Sequence, residues 1–163
     1  MSIVSDIEKL KKEKNAVILA HYYVDEDVQD VADYIGDSFY LSKVATKVSQ
    51  DRIIFAGVEF MGESAKILNP KKRVFMPDMN ADCPMAHMAD KDEILALREK
   101  YDDIAVVCYI NSTAELKKYS DVCVTSSNAV KIVKNLPNKN IFFIPDRNLG
   151  SYIAKQCPDK NFI

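Results

Sequence analysis

The sequence predicts an α/β fold with mostly parallel strands, laid down twice in tandem. Three observations lead there. Strand-sized apolar runs alternate with helical stretches along the whole chain, which is the pattern of parallel sheets joined by helical crossovers. A chain of 163 residues that is 48% hydrophobic has enough apolar surface to build a core. Shifted by 88 residues without gaps, the chain aligns with itself element by element, so that AVILAHYY falls on IAVVCYIN.

The elements follow in order. MSIVSDIEKLKKEKN is an amphipathic helix start with acids and lysines mixed, and AVILA is the first strand. DVQDVADYI and SFYLSKVATKVSQ read as helices, RIIFAG as a strand, FMGESAKIL as a helix and RVFMP as a strand. After a polar loop come the helix KDEILALREKY, the strands DIAVVCYI and DVCVT, the helix SNAVKIVKNL and the strand NIFFIPD. The shift sets Asp33 on Asp121, Ser38 on Ser126, Lys43 on Lys131, Ile53 on Ile141, Phe55 on Phe143 and Gly62 on Gly150. Residues 1–90 form the first repeat and 91–163 the second.

Composition excludes several classes of function. Twenty-two Lys and Arg against 24 Asp and Glu leave a net charge of -2 and no basic block to track a phosphate backbone, so nucleic acid is not an expected partner. Neither a signal peptide nor a membrane span is read in the chain. Four glycines and no G-x-G-x-x-G leave no dinucleotide fingerprint. The cysteines at 83, 108, 123 and 157 lack C-x-x-C or zinc spacing, so a reducing cytoplasm is expected rather than a disulfide framework.

Ligands of open α/β sheets gather outside the carboxyl ends of the strands, and four segments lie there. Ser38 and Ser126 each open a helix, either as plain N-caps or, because the repeat places them alike, as part of anion sites at helix N-termini. His21 and Tyr23 end the first strand and fall on Tyr109 and Asn111. A lone His in such a place is commonly structural, but polar side chains recur at the strand ends of both repeats, where they suit carboxylate binding and proton transfer. Cys108 and Cys123 sit in apolar runs and read as buried and inert, and Cys157 as incidental. Cys83 differs: it stands in the polar loop MPDMNADCPMAHM before a proline, a context shared by iron–sulfur ligands and by ordinary surface thiols.

The motifs ILAHYY, QDVADYIGDS, FAGVEFMGESAKILNP, MPDMNADCPMA, YINSTAELK, TSSNAVKIV and PDRNLG, in this order, resemble the quinolinate synthase family of NAD biosynthesis. The resemblance implies tandem pseudo-repeated three-layer α/β/α domains with parallel sheets, two of the family's three, the second incomplete. It implies a [4Fe–4S] cluster held by one cysteine per domain, with Cys83 as the first domain's ligand and an open iron acting as Lewis acid. It implies condensation of iminoaspartate with dihydroxyacetone phosphate to quinolinate, with L-aspartate oxidase as the supplier of iminoaspartate. His21, Ser38, Tyr109, Asn111 and Ser126 take the place of substrate contacts, with His21 and Tyr23 as the catalytic pair.

The repeat puts the second domain's cysteine loop at position 171, beyond Ile163, so the expectation is a fragment, inactive and cluster-free by itself. Two other classes remain open on the residues: a binder of dicarboxylates or sugar phosphates using the two serine helix ends, and a scaffold in which every residue named is structural.

Overall fold

The computed structural model describes residues 2–163, which divide into two compact units at Asp82/Cys83. The first unit runs α1 (Ile3–Glu13), β1 (Ala16–His21), α2 (Glu26–Asp30), β2 (Tyr34–Gly36), α3 (Ser38–Lys47), β3 (Arg52–Ala56), α4 (Glu59–Leu68) and β4 (Arg73–Phe75). The second runs α5 (Lys91–Lys100), β5 (Ile104–Tyr109), α6 (Ala114–Lys118), β6 (Val122–Val124), α7 (Ala129–Asn135), β7 (Asn140–Ile144), α8 (Arg147–Gln156) and β8 (Asn161–Phe162). Each unit holds a four-stranded parallel sheet, in the orders β2-β1-β3-β4 and β6-β5-β7-β8.

The 88-residue register is structural as well as sequential. β1 falls on β5, β2 on β6, β3 on β7, α2 on α6 and α4 on α8 with the same first and last positions. In the second unit the sheet is covered on both faces. Val107, Val124, Ile141 and Ile153 pack in one cluster with α7 and α8, and Ile94, Val106, Leu116 and Phe142 in the other with α5 and α6. Burial on both faces is why β1 and β5 read as nearly unbroken apolar runs.

Polar pins repeat with the apolar core. Asp33 Oδ2 accepts from Ile18 N at 2.8 Å and Asp121 Oδ2 from Val106 N at 2.7 Å, so each aspartate satisfies a backbone N–H of its central strand. Each is also held by a cation from the helix before that strand, Lys11 at 2.9 Å and Arg98 at 2.9 Å. Burial pulls the Lys11 ammonium down, but Glu8 and Asp33 outweigh it and raise its pKa. Lys72 donates from Nζ to the Val48 carbonyl that ends α3, and Lys160 donates to the Leu136 carbonyl that ends α7 at 2.6 Å. An ammonium at a helix C-terminus satisfies an otherwise unbonded carbonyl and opposes the helix dipole.

Two readings of the sequence need correction. DVQDVADYI is not one helix: α2 stops at Asp30 and Tyr34–Gly36 form the edge strand β2. Tyr34 and Ile35 are exposed there, so no alternation of burial marks the strand. Nor is either serine an N-cap. Asp37 caps α3, accepting from Tyr40 N at 2.7 Å and leaving Ser38 as the first helical residue; Asn128 occupies the cap of α7, its side chain accepting from Thr125 N at 2.7 Å.

Candidate functional site

In the strand order β2-β1-β3-β4 the chain leaves β1 toward β2 and leaves β3 toward β4, so the two connections part between β1 and β3, and β5 and β7 hold the same positions in the second unit. The carboxyl ends of β1 and β5 are therefore where an open α/β sheet presents its side chains to a ligand. His21 closes β1 and is in register with Gly36 of β2; Tyr109 closes β5 and is in register with Val124 of β6. The sequence-expected residues thus collect at one end of each sheet: His21, Tyr23 and Ser38 in the first unit, Tyr109, Asn111 and Ser126 in the second.

In the first unit the group is aromatic. His21 stacks on Tyr22 with ring centroids 4.7 Å apart and meets Tyr23 edge-on at 4.6 Å, while the two tyrosines are perpendicular at 4.8 Å. Burial lowers the pKa of His21, only partly offset by Asp37, so the ring is neutral at pH 7. Its Nδ1 accepts from Tyr23 N at 3.2 Å, which leaves the proton on Nε2 as a donor. Tyr23, then burial, raise the pKa of the Tyr22 phenol. Tyr23 itself is 83% exposed and its ring stands in solvent.

Asp37 was not anticipated from the sequence, although it stands beside Ser38 in GDS and aspartate is as good a cap as serine. Its carboxylate already sits at the positive end of α3, so that end does not call for a second anion. Ser38, half-buried, contributes a hydroxyl rather than a helix-dipole site.

In the second unit the group is an amide and a phenol. Asn111 Nδ2 donates to Tyr109 Oη at 3.1 Å, and both side chains are half-buried. Ser126 is exposed in the turn from Thr125 to Asn128, whose Thr125 and Ser127 hydroxyls lie 2.9 Å apart. A cleft of about 280 Å³ in this unit lies elsewhere, along β7 and α8 past Arg147, and is lined by none of these residues.

Cys83 is half-buried and begins a short 3-10 turn over Pro84–His87, with its carbonyl accepting from Ala86 N at 2.9 Å. Asp78 Oδ1 holds Asn80 N at 2.8 Å earlier in the same loop. Cys108 and Cys157 are fully buried, as expected for Cys108. Cys123 is not: it lies on the edge strand β6 and is exposed, which overturns its reading as buried. No disulfide joins the four. No helix among the described residues is long and apolar enough to cross a membrane.

Fold and site together define a duplicated parallel α/β protein whose polar side chains gather at the strand ends. Within that class the chain belongs to the family described as NadA, quinolinate synthetase A protein, whose model matches residues 5–163. It is 67% identical to a quinolinate synthase of Fusobacterium nucleatum over 157 residues, covering 96% of this chain and 53% of that protein. A quinolinate synthase of Caldicellulosiruptor saccharolyticus is 54% identical, over 99% of this chain and 53% of its own length. One from Clostridioides difficile is 56% identical, over 96% and 52% respectively. The chain spans about half the length of the curated relatives it matches.

Proposed function

We propose that this chain supplies the first two ligand-binding strand ends of a quinolinate synthase, which condenses iminoaspartate with dihydroxyacetone phosphate and releases phosphate and water. The observation that carries the reading is the repeated placement of His21/Tyr109, Tyr23/Asn111 and Ser38/Ser126 at equivalent strand ends in a chain of this family. The neutral His21 donates from Nε2 to a substrate carboxylate, a bond that needs no charge on the ring. The Asn111 amide and Tyr109 phenol, already joined, offer a preorganised pair of groups to a polar ligand at the strand end of the second unit. Ser38 and Ser126 add hydroxyl donors. Tyr23, in ring contact with His21 and open to solvent, relays protons between substrate and bulk during imine–enamine exchange.

The family's iron–sulfur cluster would supply Lewis acidity, and Cys83 would be the thiol that ligates it. This chain's residues do not complete the ligand set. Cys108 and Cys157 are locked in the core of the second unit and Cys123 projects from a sheet edge, so three thiolates around one cluster are not available from these four cysteines.

The helix-end binder is the weaker reading, because Asp37 fills the N-terminus of α3 on which it depends. Anaerobic assay of a full-length quinolinate synthase carrying this sequence, with both substrates, decides. Quinolinate should form, and Tyr23→Phe should cut kcat at least ~100-fold with little change in KM. A protein that binds both compounds and never releases quinolinate would contradict the proposal.

A further inference from the structure

Beneath the second strand end lies a group of side chains that the proposed function does not use. Cys108 of β5 and Cys123 of β6 are register partners on adjacent parallel strands. Side chains of register partners leave a parallel ladder on the same face, and strands about 4.8 Å apart fall inside the Cα separation of roughly 4.4–6.8 Å that a disulfide bridges. Cys108 Sγ lies 2.8 Å from Ser112 Oγ, and both residues are fully buried. Cys123 is open to solvent.

The first unit shows that the fold does not require these groups. In the common register Ala20 and Ile35 stand where Cys108 and Cys123 do, and they too are register partners. Val24 and Ala32 stand in place of Ser112 and Ser120. An apolar quartet in one unit has become two thiols and two hydroxyls in the other, with Lys117 where the first unit has Gln29. The polar surroundings act on the sulfurs. Cys123, then Ser112, Ser120 and Lys117, outweigh burial and bring the Cys108 thiol down to about 7, while the proton shared with Cys108 pushes Cys123 up. One thiolate is thus held within the pair near neutral pH, the state that thiol–disulfide exchange needs.

We propose that Cys108 and Cys123 are a redox modification site, closing to a reversible disulfide across the β5–β6 ladder. The oxidant is a low-molecular-weight disulfide such as oxidised glutathione. The exposed Cys123 passes its proton to the Cys108 thiolate and attacks one reagent sulfur; a mixed disulfide forms, one small thiolate leaves, and the proton on Cys108 passes to it. Cys108 Sγ then attacks the Cys123 sulfur, the intramolecular bond forms and the second small thiolate departs. Two cysteine thiols are oxidised, one reagent disulfide is reduced to two thiols, and the two protons pass to those products. The bond ties together the strand ends that lead into Tyr109 and Ser126.

The native protein is incubated with oxidised glutathione at neutral pH, alkylated, cleaved with trypsin without reduction, and analysed by mass spectrometry. The expected product joins the peptide holding Cys108 to the peptide holding Cys123. It forms in most molecules, is lost on adding dithiothreitol, and is absent from Cys123→Ser. A lasting glutathione adduct on Cys123 with Cys108 still alkylatable would overturn the proposal. Links that run mainly to Cys83 or Cys157, or a pair that stays reduced while Cys83 is oxidised, would do the same.

Discussion

The two units are one scaffold with two sets of tips. From β1 to α4 and from β5 to α8 the strands, their order, the aspartate pin and the lysine latch coincide position for position. At the strand ends the coincidence stops: the first unit carries a buried His with two tyrosines where the second carries a Tyr–Asn pair. The repeat keeps what satisfies the backbone and varies the side chains at the strand ends. The helix after the second strand shows the same division. α3 begins at Ser38 under its Asp37 cap, whereas α7 begins at Ala129, because Asn128 turns the chain first and leaves Ser126 outside the helix.

If the tips differ because they perform different tasks, substitutions there should separate the units most widely. Tyr23→Phe should lower kcat at least ~100-fold, whereas Asn111→Ala, which removes a positioning donor, should act mainly on KM by about tenfold. Steady-state rates of quinolinate formation measure both, and equal kcat losses would dissolve the distinction.

The scaffold predicts the opposite. Asp33→Ala and Asp121→Ala each strip the acceptor from a strand N–H and should cost a similar ~1–3 kcal/mol in urea denaturation. A cost confined to one of them would show that the pins are not equivalent. Lys160→Met, which frees the carbonyl ending α7, should cost about 1 kcal/mol, and Lys72→Met about the same.

The smallest expected effect is a pH dependence carried by one unit alone. Burial depresses the pKa of His21 when folded, so the unfolded chain binds the extra proton first. That contribution to stability is complete above about pH 6.5 and is lost as the pH falls through the folded pKa. Tyr109 occupies the equivalent place and carries no imidazole. His21→Gln should therefore flatten the fall in urea midpoint between neutral and mildly acidic pH, and an unchanged slope would remove His21 as its source.

Much of this duplication was legible in the sequence, because an ungapped shift is a stronger signal than any single propensity. AVILA, RIIFAG, DIAVVCYI and NIFFIPD became the central strands as expected, since burial on both faces leaves them apolar throughout. The edges were harder. YIG lies exposed at the rim, and its spacing merged with the helix before it; only its alignment with the recognisable VCV of DVCVT marks it as a strand. The exposure of Cys123 was hidden for the same reason, an apolar run on an edge strand being buried on one side only. Asp37 and Ser38 are both good caps, and adjacent candidates leave the choice to backbone geometry. The pins were partly visible, since Asp33 falls on Asp121, but that each accepts from its central strand is a matter of three-dimensional distance.

The measurement that bears most directly on the strand ends is the anaerobic rate of quinolinate formation by a full-length quinolinate synthase carrying this sequence, compared with its His21→Ala and Tyr109→Phe variants. Both variants should fold, and both should lose at least ~10-fold in kcat/KM, since each removes a hydrogen-bond donor from the strand end of its own unit. Full activity in either variant would contradict the claim that the strand end of that unit serves the reaction.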